Sequence, residues 1–377
     1  MSSLYVHIPY CLSRCLYCDF FSTTLRGTAH ESYMALVLKQ LKLLSLIEPF
    51  TTALKTVYLG GGTPSLLKTE QLALLMSACR AQFGFATDAE ISIEVNPATF
   101  TGNYLQQLRE IGINRLSIGV QSFDVKQLLR LGRCHDPAQS RQAIDAARSA
   151  GFDNLSLDLM FALPGQKREH LEREIEQLLQ QEPEHISVYG LTIEPGTAFE
   201  RQQRQGKLDP CDDDEYARQY DLLRARFAEA GYEHYELSNF ARPGYRCRHN
   251  QVYWRRQSCL PLGAGAHGFS DRGWGERWHV PADLEGYRSR LQRGENPAEV
   301  LETFDRVAAM KEYAYLALRT SDGIERRDFA RRFGCSPEKA FPQAQKKLSG
   351  HLHADSRHWY LSSSSWLLYD HLISAFL

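Results

Sequence analysis

The sequence predicts an α/β fold, an incomplete parallel (β/α)6 TIM-like barrel followed by a small, mainly helical C-terminal domain. Two observations predict it. Six short apolar segments between residues 4 and 191 alternate with segments of helical period, an order that gives parallel strands joined by right-handed crossovers. The polar residues that stand out in those segments fall at or near their C-terminal ends, the rim on which α/β barrels build their sites.

The first strand is residues 4–9, LYVHIP, and behind it stand Cys11, Cys15 and Cys18 as C-x-x-x-C-x-x-C. Three thiolates on one short loop can hold three irons of a cubane cluster and leave the fourth iron open, hence reactive. Tetrahedral zinc sites use paired spacings with a second pair further on, and none follows here. The second strand, 56–59, runs into Gly60-Gly61-Gly62-Thr63-Pro64, where glycines let backbone N–H groups approach a ligand closely. The third, 91–97, carries Glu94, and the fourth, 115–122, ends near Gln121 with Arg133 one helix later. The fifth, 154–160, carries Asp158, and 185–191 is the sixth. One such polar residue at a strand end is ordinarily a turn or cap, but that explanation must be repeated at every strand.

Between the strands, Tyr33, Leu36, Val37, Leu41 and Leu44 form one helical stripe, and Leu72, Leu75, Met76, Cys79 and Phe83 another, so Cys79 belongs to the core. Helices follow at about 138–150 and 168–181. The acidic run 212–215 suits a capped helix start, since acids complement the dipole of a first turn. Cys134, Cys211, Cys259 and Cys335 lack partners at ligand spacing and read as reduced structural thiols. Six β/α units by about residue 195 leave a barrel open on one side, which admits bulky substrates.

Further on, Arg246-Cys247-Arg248-His249-Asn250-Gln251-Val252-Tyr253-Trp254 offers an imidazole, an amide and two broad aromatic faces, groups suited to a flat porphyrin and its iron. From residue types alone a His beside aromatics is more often structural. Residues 287–297 read as a polar connection. From about Leu301 a helix without an accompanying strand is expected through Phe304, Val307, Met310, Tyr313, Ala314 and Ala317. Short helices, one broken near Pro342, a hairpin at 351–362 and a final helix at 366–376 complete the chain.

The cysteine triplet resembles the signature of the radical S-adenosylmethionine (SAM) superfamily, in which SAM caps the open iron of a 4Fe-4S cluster. GGGTP, the Glu of IEVNP, the Gln of GVQSF, the Arg of LGRCH and the Asp of LDLM are similar to SAM-binding positions of the oxygen-independent coproporphyrinogen oxidase group. The resemblance implies that Gly61, Gly62, Thr63 and Glu94 face the methionine amino end and Arg133 its carboxylate. It puts Gln121 beside the methionine, Asp158 on the ribose hydroxyls, and Tyr5 and Tyr17 in the pocket lining. HNQVYW matches the H-N-x-x-Y-W motif of the HemW family, haem-binding relatives of those oxidases. By that resemblance His249 is the haem ligand, with Asn250, Tyr253 and Trp254 beside it and Cys247 or His267 as alternatives. The segment 263–268 would return to the active-site region. Two departures favour HemW over the oxidases: Phe20 stands where they carry a fourth cysteine, and the first strand begins at Leu4 without their long leading segment. The division implied is a radical SAM core at 1–235, a barrel extension with HNQVYW at 236–298, and a C-terminal domain like that of the oxidases at 299–377.

Three functions follow from the resemblance. A haem chaperone would hold haem as cargo and pass it to an acceptor apoprotein. An oxidase would decarboxylate coproporphyrinogen III through a deoxyadenosyl radical, and a third relative is an anaerobic haem-degrading methyltransferase. The departures favour the chaperone, without oxidase activity. Composition agrees with a cytoplasmic protein: 377 residues, 44 basic and 45 acidic side chains and a net charge of −1 give no attraction to nucleic acid. Nine cysteines without an apolar leader suit a reducing compartment. No apolar run approaches the ~18 residues of a membrane span. Peripheral membrane contact and a dimer stay open.

Overall fold

The computed structural model describes residues 2–47, 53–100 and 102–376. Six parallel strands form its centre: β1 (Ser3–Ile8), β2 (Leu54–Gly61), β3 (Phe85–Val95), β4 (Arg115–Gln121), β5 (Leu155–Phe161) and β6 (His185–Gly190). Two antiparallel strands, β7 (Glu233–Glu236) and β8 (Asn239–Ala241), extend the β6 edge, and β9 (Leu260–Leu262) lies parallel to β1 at the other. The sheet order is therefore β9-β1-β2-β3-β4-β5-β6-β8-β7, an open barrel as the sequence predicts.

Each central strand alternates strictly. Leu4, Val6 and Ile8 of β1, Val57 and Leu59 of β2, Ile91, Ile93 and Val95 of β3, and their equivalents on β4 to β6 point outward and are buried in one core beneath the helices. Among the crossover elements are α1 (Ala29–Ile47), α2 (Thr69–Phe83), α3 (Gly102–Glu110), α4 (Val125–Leu131), α5 (Pro137–Ser149), α6 (Arg168–Leu179), α7 (Ala198–Arg204) and α8 (Asp213–Glu229). Their starts follow local chemistry: Asp136 accepts the Gln139 N–H at 2.8 Å with Pro137 at the first helical position, and Asp212 caps α8 through the Glu215 N–H at 2.8 Å.

Past the barrel, α9 (Arg248–Trp254) carries the HNQVYW segment. Three expectations need correction here. Residues expected as a polar connection form α10 (Leu284–Gln292), capped by Asp283 and buried through Tyr287 and Leu291 one turn apart. Residues 299–303 begin no helix. They are β12 (Glu299–Thr303), the edge of an antiparallel sheet with β10 (His267–Ser270) and β11 (Glu276–His279), and α11 (Arg306–Ala317) starts only where Asp305 caps it. The final helix is split into 3₁₀ turns flanking a five-residue α segment at Tyr369–Ile373. The expected hairpin is present as β14 (Leu352–Ala354) and β15 (His358–Leu361), paired with β13 (Ile324–Glu325). A second core gathers Phe269, Phe304, Met310, Phe329, Trp359, Trp366 and neighbours.

Candidate functional site

A cavity of about 430 Å³ opens at the C-terminal ends of the central strands. Its lining brings together Cys11, Cys15 and Cys18, Tyr17, Gly61, Gly62, Thr63, Glu94, Gln121, Arg133 and Asp158. Of the residues expected around SAM only Tyr5 is not among them.

The cysteine loop is held by its surroundings more than by itself. Leu16 donates its N–H to the Leu131 carbonyl at 3.0 Å and accepts from the Phe199 N–H at 3.0 Å, so α4 and α7 clamp the turn between Cys15 and Cys18. The short α4 ends at Gly132, in the left-handed region at φ 75°, and delivers Arg133 to the cavity. One Arg133 nitrogen lies 3.6 Å from the Cys15 sulfur, and the other donates to Asn96 Oδ1 and, at 2.8 Å, to the Gly119 carbonyl. Asn96 Nδ2 donates to Thr63 Oγ1 at 2.9 Å, and the Thr63 hydroxyl reaches the Cys11 sulfur at 3.5 Å. A continuous polar chain thus joins two of the three thiols through Asn96, a residue whose role sequence reasoning missed although it stands in the quoted IEVNP string.

The glycine run works by fit. A Cβ on Gly62 would lie 2.7 Å from the Tyr10 carbonyl and 2.9 Å from that of Ile8, and one on Gly60 would lie 3.0 Å from Glu94 Oε1. Glu94 accepts the Tyr58 hydroxyl at 3.0 Å and the Gly61 N–H at 3.1 Å. Burial and the charge of Asp158 push its carboxyl up to about 7. Burial likewise pushes Asp158 up to about 6, opposed by the Ser117 hydroxyl, 3.1 Å away. Gln121 ends β4 at φ 66°, a left-handed conformation costly for a non-glycine residue, where the β4–β5 register shifts.

Burial pushes the Cys11 thiol up and that of Cys18 to about 11, so both would have to lose a proton to serve as iron ligands. Among the described residues no three His, Cys, Asp or Glu side chains gather as they would around a single ion. A cubane, which takes each thiolate on a different iron, does not need such convergence. Cys134, expected as a structural thiol, is instead exposed on the cavity lining, 2.8 Å from Ser13 Oγ.

The haem candidates lie elsewhere. His249 is buried at the opposite, N-terminal end of the strands, its Nδ1 paired with Thr56 Oγ1 at 2.8 Å and its Nε2 with the Tyr253 hydroxyl at 2.9 Å. Neither nitrogen is free for iron in this conformation. Cys247 is buried beside it, Trp254 is covered by the Arg319 guanidinium at 3.8 Å, and Asn250 is half-buried on the same helix. His267 is exposed on β10, outside the cavity lining, and the segment 263–268 packs on α1 and Phe21 through Gln40 and Tyr33 instead of reaching the cavity. Tyr5 sits one layer below the cavity, its hydroxyl 3.1 Å from His7 Nδ1.

The family model of the radical SAM superfamily matches residues 5–178. Along its whole length the chain is 34% identical to the heme chaperone HemW of Bacillus subtilis strain 168, of which it covers 99%. The chain belongs to the HemW family. It is also 34% identical to the heme chaperone HemW of Escherichia coli K12, covering 100% of this chain and 98% of the relative. The coproporphyrinogen III oxidase HemN of Escherichia coli, described as a radical SAM enzyme, superposes with a TM-score of 0.84 over 99% of this chain and 89% of its own at 22% identity, a likeness of fold. As a HemW-family radical SAM protein the chain takes a 4Fe-4S cluster and SAM, and the cavity fits both: thiols on one loop, carboxyls for an amine and hydroxyls, and a guanidinium for a carboxylate.

Proposed function

We propose that this protein is a haem chaperone, which binds haem as cargo and transfers it to an acceptor apoprotein while the cluster and SAM regulate or assist the transfer. Identity to HemW chaperones along the whole chain carries the reading, since the barrel alone is common to relatives with other activities. Within it, Cys11, Cys15 and Cys18 hold the cluster. Gly61, Gly62, Thr63 and Glu94 take the SAM amino end, Arg133 its carboxylate, Asp158 the ribose hydroxyls, and Gln121 and Tyr17 flank them. That Glu94, Asp158 and Arg133 line a single cavity supports that assignment. Haem ligation by His249 would require one of its two ring hydrogen bonds to break, and the chaperone reading does not depend on it. The functional units are a core up to about residue 235, an extension to 298 and a C-terminal unit, the last supported by a separate core around Phe329 and Trp359 that Phe269 of the extension joins. No helix among the described residues is long and apolar enough to cross a membrane, and we assign the protein to the cytoplasm.

The test is anaerobic reconstitution followed by parallel assays of haem binding and coproporphyrinogen consumption. Stoichiometric haem, passed on to apoprotein without decarboxylation, is expected. Repeated turnover to protoporphyrinogen overturns the reading in favour of the oxidase.

A further inference from the structure

The inward face of the barrel links the HNQVYW helix to the cavity by direct contacts. Thr56, near the start of β2, and Glu90, midway along β3, stand opposite each other in register, and both bind α9. Glu90 accepts the N–H groups of Arg248 and His249 at 3.0 and 2.9 Å, anchoring the helix start beneath the barrel. Two residues further along β2 stands Tyr58. The His249 ring stacks on the Tyr58 ring, with centroids 5.2 Å apart and planes 26° apart, and Tyr253 closes on the imidazole edge-on at 5.1 Å. Tyr58 then donates its hydroxyl to Glu94 in the cavity wall. Tyr5 packs against both rings, and its hydroxyl bonds His7, whose Nε2 donates to the Phe21 carbonyl at 2.9 Å just beyond the cysteine loop.

We propose that His249 is a positioning residue of the SAM site: the HNQVYW helix is an internal floor that fixes Tyr58, and through Tyr58 the carboxylate of Glu94. The proposal rests on the assignment of Glu94 to the SAM amino end. A ring held on one face by an imidazole bonded at both nitrogens presents its hydroxyl in one direction, and a carboxylate receiving that hydroxyl keeps its other lone pairs toward the ligand. The groups that act on Glu94 are Asp158 from β5, Tyr58 and the Gly61 N–H from β2, Tyr5 from β1 and Tyr189 from β6. Of these the Tyr58 hydroxyl favours the ionised form, so losing it raises the pH at which an ammonium ligand is accepted.

The experiment uses full-length protein with reconstituted cluster, SAM titrated by calorimetry from pH 5.5 to 8.5 and haem titrated in the Soret band. Tyr58→Phe and His249→Phe, which keep the rings, should each weaken SAM about tenfold and move the half-point of its pH profile upward, with iron and sulfide unchanged. The double variant should lose no more than the worse single one, because both act through one hydroxyl. Haem affinity without SAM should stay at the wild-type level in His249→Phe. Haem loss in that variant with wild-type SAM affinity and pH profile overturns the proposal, as do fully additive losses. Unchanged SAM affinity in Glu94→Gln overturns the assignment of the site itself, and the proposal with it.

Discussion

Glu94 and Asp158 are carboxyls on one cavity whose burial favours their neutral forms. An ammonium ligand reverses that preference at Glu94. If Glu94 takes the SAM ammonium, binding at lower pH must first expel its proton, so affinity should rise between about pH 5 and 7 and then level off. Calorimetry in buffers of different ionisation enthalpy would reveal the proton released, and a flat profile would separate Glu94 from the amine. Stability has the opposite sign. With its folded pKa raised above the unfolded value, Glu94 makes the ligand-free protein bind more protons when folded than unfolded, so its contribution falls as pH climbs from about 4.5 through 7. Glu94→Gln should therefore raise the melting temperature of SAM-free protein at pH 8 and leave it nearly unchanged at pH 5, while weakening SAM. Melting curves at the two pH values decide this. At this scale the sequence announced most of the lining, because a polar residue at the end of an apolar strand is visible as such. Tyr5 stands off the cavity lining because strand alternation gives the face of a residue and not its depth: His7, two positions on, takes the higher level.

The cysteine loop and the glycine run form one structural element, joined by backbone. The Gly62 N–H donates to the Ile8 carbonyl at 2.8 Å, and the place of a Cβ is taken by the Ile8 and Tyr10 backbone, which cannot swing aside as a side chain could. Gly62→Ala should cost about 1–3 kcal/mol by overpacking and displace the loop from its root. Denaturant melts and iron content would both register it, and a fully loaded, equally stable variant would show that the loop follows the strand without strain. Cys15→Ala acts on the same element by chemistry: with one of three thiolates gone, anaerobically purified protein should lose its iron and sulfide, and retention of four irons would mean that the ligands lie elsewhere. These elements were legible because each depends on local sequence. The strand at Glu299–Thr303 was not, since an edge strand with exposed Val300 and Leu301 has no core-facing pattern to distinguish it from the helix that follows. The helix at Leu284–Gln292 hid for the converse reason: Tyr287 and Leu291 are its only fully buried residues, too few for a stripe.

Across the whole molecule the barrel interior is polar from floor to mouth. Along the inward faces run Tyr5 and His7, Thr56 and Tyr58, Glu90, Ser92 and Glu94, Arg115 and Ser117, Ser156 and Asp158, and His185 and Ser187, while aliphatic residues take the outward faces. A packed barrel would fill these positions with Val, Ile and Leu. The alternation is written in the strands as E-I-S-I-E-V and R-L-S-I-G-V-Q, so a polar interior was there to be read. Which end α9 closes was not, because that follows from a return of the chain more than 150 residues after Thr56, as the 193-residue separation of Thr56 from His249 expresses. A polar interior places unusual weight on the floor. Arg115 is wholly buried and feels the charge of Glu90, which also takes the first N–H groups of α9, so one carboxylate answers both a guanidinium and a helix dipole. Removing it leaves the helix amides without their charged acceptor, and Glu90→Ala should destabilise the protein by about 1.5–3 kcal/mol for each charged hydrogen bond lost. Glu90→Gln keeps an acceptor oxygen but no charge and should fall between the two. The order wild type, Gln, Ala in chemical denaturation checks the argument. A Glu90→Ala protein as stable as wild type would mean that Arg115 has its charge answered by water entering from below, and that the barrel is open at both ends.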